Sequence, residues 1–147
     1  MEKRMLFMDL DGTLLDDHEQ ITHGNRQALN QALERGHGVI ITTGRPLKSA
    51  MDQARKLELD KPGCYLIAYN GAMIYDWEKE QQMFARTLDI PTVLDIFDYV
   101  NQKNLHIQTY DRESVLVGGF TAPNAEKLQK MSESTNAQLI WIASISL

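Results

Sequence analysis

Short apolar runs that end in polar or glycine-bearing turns recur three times in the first half of the chain. Residues 4–10, 39–42 and 65–69 each combine such a run with a turn directly after it. Runs of this length bounded by turn residues are typical of strands buried in a sheet. The pattern therefore predicts three strands, and it places a cluster of polar residues at the end of each.

The segments between these strands carry apolar residues at helical spacing. The first predicted helix follows Thr22, a suitable N-cap, and ends at Gly36, a suitable residue for the position after the helix. The second begins at Pro46, in the first helical turn where proline is tolerated, and continues to Leu57. Strands separated by helices of this size favour right-handed crossovers, so the sequence predicts an α/β fold with a parallel sheet.

After Gly71 the order of elements changes. A hairpin, a helix from Pro91, two strands, a glycine turn, a second helix and a final strand are predicted in turn. The hairpin comprises 72–75 and 83–88, and the two strands are 105–110 and 115–117. The glycine turn is 118–119, the second helix begins at Pro123, and the final strand is 138–143. This alternation favours a small α+β module inserted after the third strand, with domains expected at 1–75 and 76–147.

Composition and charge exclude several classes of partner. The chain of 147 residues has a formal net charge of -5 and no cluster of lysine or arginine, so we expect no nucleic-acid partner. No apolar run approaches the roughly 18 residues that span a membrane. The N-terminus lacks the features of a signal peptide, and the one cysteine, Cys64, cannot form an internal disulfide. A reducing cytoplasm is therefore the expected compartment.

Two aspartates one residue apart, Asp9 and Asp11, close the first predicted strand and precede Gly12. This pattern suits phosphoryl transfer, because one carboxylate can attack phosphorus while a second transfers the proton. Glycine permits a sharp turn whose N–H groups can face a phosphate. A calcium loop is the alternative, but the sixth and twelfth positions counted from Asp9 are Leu14 and Gln20, which do not fit the EF-hand pattern.

Two further turns follow the second and third strands. Thr43, Gly44 and Arg45 precede a helix whose positive end would face the same edge of the sheet. Asn70 and Gly71 form the third turn, where direct ligand contact and simple turn chemistry remain equally good interpretations. The acidic loop of Asp16, Asp17 and Glu19 is expected to be solvated, although its position would also allow it to face a cap.

These motifs resemble those of a known family. The segment FMDLDGTLL resembles the first motif, DxDGT[LV], of the haloacid dehalogenase (HAD) superfamily, and Thr43-Gly44-Arg45 resembles its second motif. Tyr69-Asn70-Gly71-Ala72 resembles the [ST]xNGA segment of the Cof-type branch, subfamily IIB. The resemblance implies a partial Rossmann-like parallel-sheet core followed by the beginning of an α+β cap of type C2.

The resemblance also implies roles for the motif residues. Asp9 would be the nucleophile and Asp11 the general acid/base, and the Asp9 side chain with the Asp11 backbone carbonyl would hold Mg²⁺. Phosphate would be bound by residues of the three turns, namely Leu10, Gly12, Thr43, Gly44, Arg45, Asn70 and Gly71. Members are mostly phosphatases of sugar phosphates and similar small phosphomonoesters, so a small phosphorylated metabolite is the expected partner.

The chain departs from the family pattern because neither the lysine of the third motif nor the GDxxND of the fourth appears. We therefore expect a truncated phosphatase with weak or no activity. A non-catalytic remnant or oligomerising module and a phosphomutase-type phosphotransferase are the alternatives. In the family, the strand with the fourth motif lies beside the first strand. Without it, residues 4–10 would form an exposed apolar edge, and with the apolar segment Leu139–Ile142 this predicts self-association.

Overall fold

A computed structural model of the chain describes residues 2–103, 105–110, 115–118 and 141–146. The chain divides into two compact units, Met1–Ala85 and Arg86–Leu147. The sequence-based domains at 1–75 and 76–147 refer to the core and cap of the family, and that boundary stays a prediction.

The first unit contains a five-stranded mixed sheet with the strand order β1-β2-β3-β4-β5. The pairs β1/β2 and β2/β3 are parallel, whereas β3/β4 and β4/β5 are antiparallel. The strands are β1 (Met5–Asp9), β2 (Gly38–Thr42), β3 (Cys64–Ala68), β4 (Met73–Asp76) and β5 (Gln81–Ala85). The predicted α/β fold with three parallel core strands is confirmed.

Two helices connect the parallel strands, α1 (His23–Glu34) and α2 (Leu47–Lys56). The predicted cap of α1 is confirmed, because Thr22 Oγ1 accepts a hydrogen bond from Asn25 N at 3.2 Å. Gly36 follows this helix with φ +79°, a conformation that favours glycine. Pro46 was expected in the first turn of α2, but it lies one residue before the helix with an extended backbone.

The core of the first unit lies between the sheet and the helices. Its central side chains come from the turn after β1, from β2 and β3, and from α2 and the loop that follows it. Fully or nearly fully buried members include Leu10, Val39, Ile41, Ala50, Ala54, Leu59 and Leu66. The carboxyl ends of the strands are thus attached to a packed scaffold, which holds the turns that follow them.

The strand β1 was predicted to be buried, and this prediction is wrong. It is the terminal strand of the sheet and pairs only with β2. Met5 and Leu6 are each 42% exposed and Phe7 is 61% exposed. The expectation that these residues form an exposed apolar edge is confirmed for the part of the chain that the structure describes.

The predicted hairpin also differs in its place in the fold. It forms as β4 and β5, but it extends the first sheet, because β4 pairs with β3. We had expected it to open the α+β module. The Asn70-Gly71 turn is short enough to return the chain directly along β3, which explains the antiparallel pairing.

The second unit contains α3 (Ile90–Gln102) and a three-stranded antiparallel sheet of order β7-β6-β8. Its strands are β6 (His106–Tyr110), β7 (Val115–Gly118) and β8 (Trp141–Ser146). Asp89 caps the helix, because its Oδ1 accepts from Thr92 N at 2.8 Å. Hydrogen bonds from the side chain and then the backbone of Thr92 lower the pKa of Asp89. The helix packs through Ile90, Val93, Phe97 and Val100 with Ile107.

Some predicted elements of the second unit lie outside the described residues. These are the helix from Pro123, Gly119 of the glycine turn, and the start of the strand predicted at 138–143. The described part of that strand begins at Trp141 and runs to Ser146. Across the described residues, no helix has the length and apolar character needed to cross a membrane.

Candidate active site

The ends of the three parallel strands bring the predicted site turns to one edge of the sheet. Asp9 at the end of β1 is in register with Thr42 at the end of β2, and Thr42 is in register with Ile67 in β3. Parallel strands point the same way, so the turns that follow them lie side by side. The carboxyl edge of such a sheet is the usual place for a ligand site.

The turn after β1 separates its buried residues from its polar ones. Leu10 is fully buried in the core, so only its backbone is available to a ligand. Gly12 has φ +71°, and Leu15 N donates to Leu10 O at 2.9 Å to close the turn. Glycine is needed here because other residues rarely adopt this conformation. Asp9 and Asp11 remain exposed on this turn.

The two aspartates have different surroundings. Within the part of the chain that the structure describes, the carboxylate of Asp9 has no hydrogen-bond or ion-pair partner. Asp11 accepts two hydrogen bonds from Arg45, one from Nε at 3.0 Å and one from Nη2 at 2.5 Å. The hydrogen bond with Asp11 raises the pKa of Arg45, which keeps the guanidinium charged. The carboxylate of Asp9 thus has no partner among the described residues, whereas that of Asp11 is held by Arg45.

The turn after β2 is fixed by hydrogen bonds of its own. Thr43 is buried, and its N donates to Ile67 O at 2.8 Å. Its Oγ1 accepts from Arg45 N at 3.1 Å, which leaves the hydroxyl proton to be donated elsewhere. This arrangement suits a group that donates a hydrogen bond to a phosphate oxygen.

The turn after β3 is joined to the turn after β2. Asn70 N donates to Thr43 O at 3.2 Å, and Tyr69 N donates to Arg45 O at 3.1 Å. Tyr69, Asn70 and Gly71 have φ values of +52°, +54° and +95°. A Cβ atom on Gly44 would lie 2.8 Å from Asn70 Oδ1, so the two turns are in close contact. Consecutive residues in this strained region are frequent at ligand sites.

The oxygen donors at this edge match part of a magnesium site. The Asp9 carboxylate and the Asp11 carbonyl are hard oxygen ligands, which Mg²⁺ prefers together with water and substrate phosphate. The described segments contain no group of three or more histidine, cysteine or acidic side chains placed to hold a metal ion. The residues present therefore fit a site in which the protein supplies only some of the ligands.

Glu19, in the acidic loop after the first motif, makes a contact at this edge that the sequence did not predict. It is exposed, as expected, but its Oε1 also lies 3.6 Å from Arg45 Nη2. The two residues are far apart in sequence, and no motif spacing connects them. The acidic character of the loop was the only signal, and it is equally typical of a solvated surface.

The geometry agrees with the comparison to known families. The family model for haloacid dehalogenase-like hydrolases matches residues 6–144 of the chain. The chain belongs to this family. The membership predicted from the motifs, that of a Cof-type member of the HAD superfamily, is confirmed, and the family is one of hydrolases.

Individual relatives carry phosphatase names. The chain is 38% identical over 73 residues to 5-amino-6-(5-phospho-D-ribitylamino)uracil phosphatase YcsE of Bacillus subtilis, a match covering 50% of this chain and 28% of that one. It is 30% identical over 106 residues to pyridoxal phosphate phosphatase YbhA of Escherichia coli, covering 72% of this chain and 38% of that one.

A solved structure shows the same fold. A haloacid dehalogenase-like hydrolase from B. subtilis superposes with a TM-score of 0.67 at 26% identity, covering 92% of this chain and 46% of that one. The chain thus spans less than half the length of each of these three proteins.

Proposed function

We propose that this chain carries the nucleophile-bearing part of a Mg²⁺-dependent phosphatase that hydrolyses small phosphomonoesters. The observation that carries the proposal is the placement of Asp9. Its carboxylate, which has no partner among the described residues, ends β1 beside the Thr43–Arg45 turn, and the second carboxylate, Asp11, is held two residues away. A nucleophile, a proton-transfer group and hydrogen-bond donors for phosphate then share one sheet edge.

The chemistry follows from these positions. An oxygen of the Asp9 carboxylate attacks phosphorus, and the bond from phosphorus to the leaving oxygen breaks. Asp11 in its acid form gives its proton to that oxygen and becomes a carboxylate. It then takes a proton from water, the water oxygen attacks phosphorus, and the bond to Asp9 breaks. Inorganic phosphate is released, and the free carboxylate of Asp9 is regenerated.

The remaining residues bind the phosphate group. The Thr43 hydroxyl would donate a hydrogen bond to a phosphate oxygen, and backbone N–H groups of the turns at Gly12, Gly44 and Gly71 would do the same. Arg45 and Asn70 complete the proposed phosphate-binding set. Mg²⁺, held by the Asp9 carboxylate and the Asp11 carbonyl, would offset the negative charge of the phosphate and the nucleophile when bound.

The substrate class is a small phosphorylated metabolite. The relatives YcsE and YbhA are named for phosphate esters of this size, which supports the class without selecting a member of it. We also propose a cytoplasmic location, because the single cysteine is unpaired and buried. Self-association through the apolar edge of β1 belongs to the same proposal.

The experiment is Mg²⁺-dependent hydrolysis of p-nitrophenyl phosphate by the chain and by Asp9→Asn. We expect turnover that needs Mg²⁺ and falls by at least about 10³-fold in Asp9→Asn, because the amide cannot act as the nucleophile. Asp17→Asn is the matched control, since it makes the same change on the neighbouring loop. If the folded wild-type chain shows no turnover, the non-catalytic alternative replaces this proposal.

A further inference from the structure

The loop of residues 16–20 holds Glu19 in a strained conformation. Glu19 has φ +56°, a region that residues other than glycine rarely adopt. Asp16 fixes the loop around it, because its Oδ1 accepts from His18 N and from Gln20 N, each at 2.9 Å. These backbone hydrogen bonds lower the pKa of Asp16. Strain of this kind persists where the surroundings impose it, and it is frequent at functional sites.

The strained residue points its carboxylate at the candidate site. Glu19 Oε1 lies 3.6 Å from Arg45 Nη2, the same nitrogen that donates to Asp11 Oδ1. The guanidinium of Arg45 is therefore flanked by two carboxylates. Asp11 accepts from its Nε and Nη2 groups in a bidentate pair, and Glu19 Oε1 lies near the same Nη2.

Stability alone does not explain this arrangement. The side chains of Glu19 and Asp11 are 66% and 54% exposed, and exposed ion pairs add little to the free energy of unfolding. A second carboxylate does, however, restrict the rotation of a guanidinium, whose donors lie in a rigid plane. The contact with Glu19 thus limits the orientations that Arg45 can take.

We propose that Glu19 is a positioning residue that holds Arg45 and, through Arg45, the carboxyl group of Asp11. The functional meaning rests on the proposed phosphatase activity, in which Asp11 transfers the proton. Both oxygens of Asp11 accept from Arg45, which suits the step in which Asp11 takes a proton from water. A carboxylate that is held in one orientation meets that proton more often than one that rotates freely.

Three variants separate charge, backbone strain and loop position. Glu19→Gln removes the charge and keeps the size of the side chain. Glu19→Gly removes the side chain and relieves the strain at positive φ. Asp17→Asn removes an exposed acid from the same loop and serves as the control, since the described residues give Asp17 no ion pair.

The first measurement is the exchange of the Arg45 Nε proton with water, followed by ¹⁵N NMR on the full chain. We expect exchange to be about fivefold faster in both Glu19 variants and unchanged in Asp17→Asn, because an ordered donor is protected from exchange. Glu19→Gly should in addition unfold at a higher urea concentration than the wild type. Equal exchange in Glu19→Gln and Asp17→Asn would overturn the proposal.

The second measurement separates positioning from substrate contact. With p-nitrophenyl phosphate, Glu19→Gln should lower kcat about fivefold and leave KM unchanged. A raised KM with unchanged kcat would overturn the proposal, because Glu19 would then act on phosphate binding, directly or through Arg45, and not through Asp11. If the wild-type chain shows no turnover, the proposed function fails for this chain, and the exchange measurement alone decides whether Glu19 holds Arg45.

Discussion

At the scale of single residues, the two aspartates of the first motif differ in what surrounds them. Asp9 has an exposed carboxylate without a partner among the described residues, whereas Asp11 is bound by Arg45 through two hydrogen bonds. The sequence predicts that the two carboxylates lie together, but it contains no sign of this difference. The partner of Asp11 lies 34 positions further along the chain, and folding brings the two together.

A prediction at this scale concerns the contact between Gly44 and Asn70. Gly44→Ala would place a methyl group 2.8 Å from Asn70 Oδ1, so one of the two must move. We expect the free energy of unfolding to fall by about 1 kcal/mol, at the low end for overpacking, because Asn70 is exposed. Urea unfolding of the full chain measures this change.

The double variant tests the cause of that loss. Asn70→Gly removes the side chain while tolerating φ +54°, so Gly44→Ala should cost nothing in the Asn70→Gly background. An equal cost in both backgrounds would show that the alanine disturbs the backbone of the turn and that the side chain of Asn70 is not involved.

Residue types alone predicted most of the candidate site. The strand-ending motifs predicted the turns around Gly12, Thr43 and Asn70, because turn chemistry is local and can be recognised from a few neighbouring residues. The contact between Glu19 and Arg45 was not predicted, since this ion pair joins two turns that are distant in sequence. The burial of Leu10 agrees with the buried run predicted at residues 4–10, although Leu10 lies in the turn after β1.

At the scale of elements, the helices and strands of the first unit formed close to their predicted bounds. The caps at Thr22 and Gly36 and the apolar runs of β2 and β3 are local signals that the fold did not override. The prediction that β1 is buried was wrong because burial is not a local property. An apolar run indicates that a strand can be buried, but the position of the strand in the sheet decides whether it is buried, and β1 is the terminal strand.

A prediction at the element scale uses two glycines with opposite roles, one within α1 and one after its end. Gly24 lies inside the helix, and a Cβ atom there meets nothing within 4 Å, whereas Gly36 follows the helix with φ +79°. Gly24→Ala should raise the free energy of unfolding by up to about 1 kcal/mol, because alanine loses less entropy in a helix. Gly36→Ala should lower it by about 1 kcal/mol, because alanine is strained at positive φ.

Urea unfolding of both variants at one pH measures the two changes, and each variant is the control for the other. Equal effects of the same sign would contradict the assignment of Gly36 as the residue that ends the helix.

At the scale of the whole molecule, the match to the family extends over nearly the entire chain, yet the chain spans less than half of each relative compared. The comparisons therefore show the fold and the family, whereas the activity stays a proposal. The first sheet has an exposed strand at each end, β1 with Phe7 and β5 with Phe84. Either terminal strand could pair with a strand of another chain, so the two edges must be compared.

We expect association through β1, because Met5, Leu6 and Phe7 form a continuous apolar segment on an unpaired edge. Light scattering at tens of micromolar should give a mass above the 16.8 kDa of one chain. Phe7→Lys should return the mass to that of a monomer, since a lysine on an edge strand opposes pairing with another chain.

The control is Phe84→Lys on the opposite edge, where the phenylalanine is 46% exposed. It makes the same change in charge and apolar area on the same sheet, so it should leave the associated mass unchanged. A monomeric wild type would contradict self-association altogether, and dissociation by Phe84→Lys alone would move the interface to β5. If both substitutions dissociate the protein, the two edges pair with each other, and association would continue from chain to chain because such a contact does not close on itself.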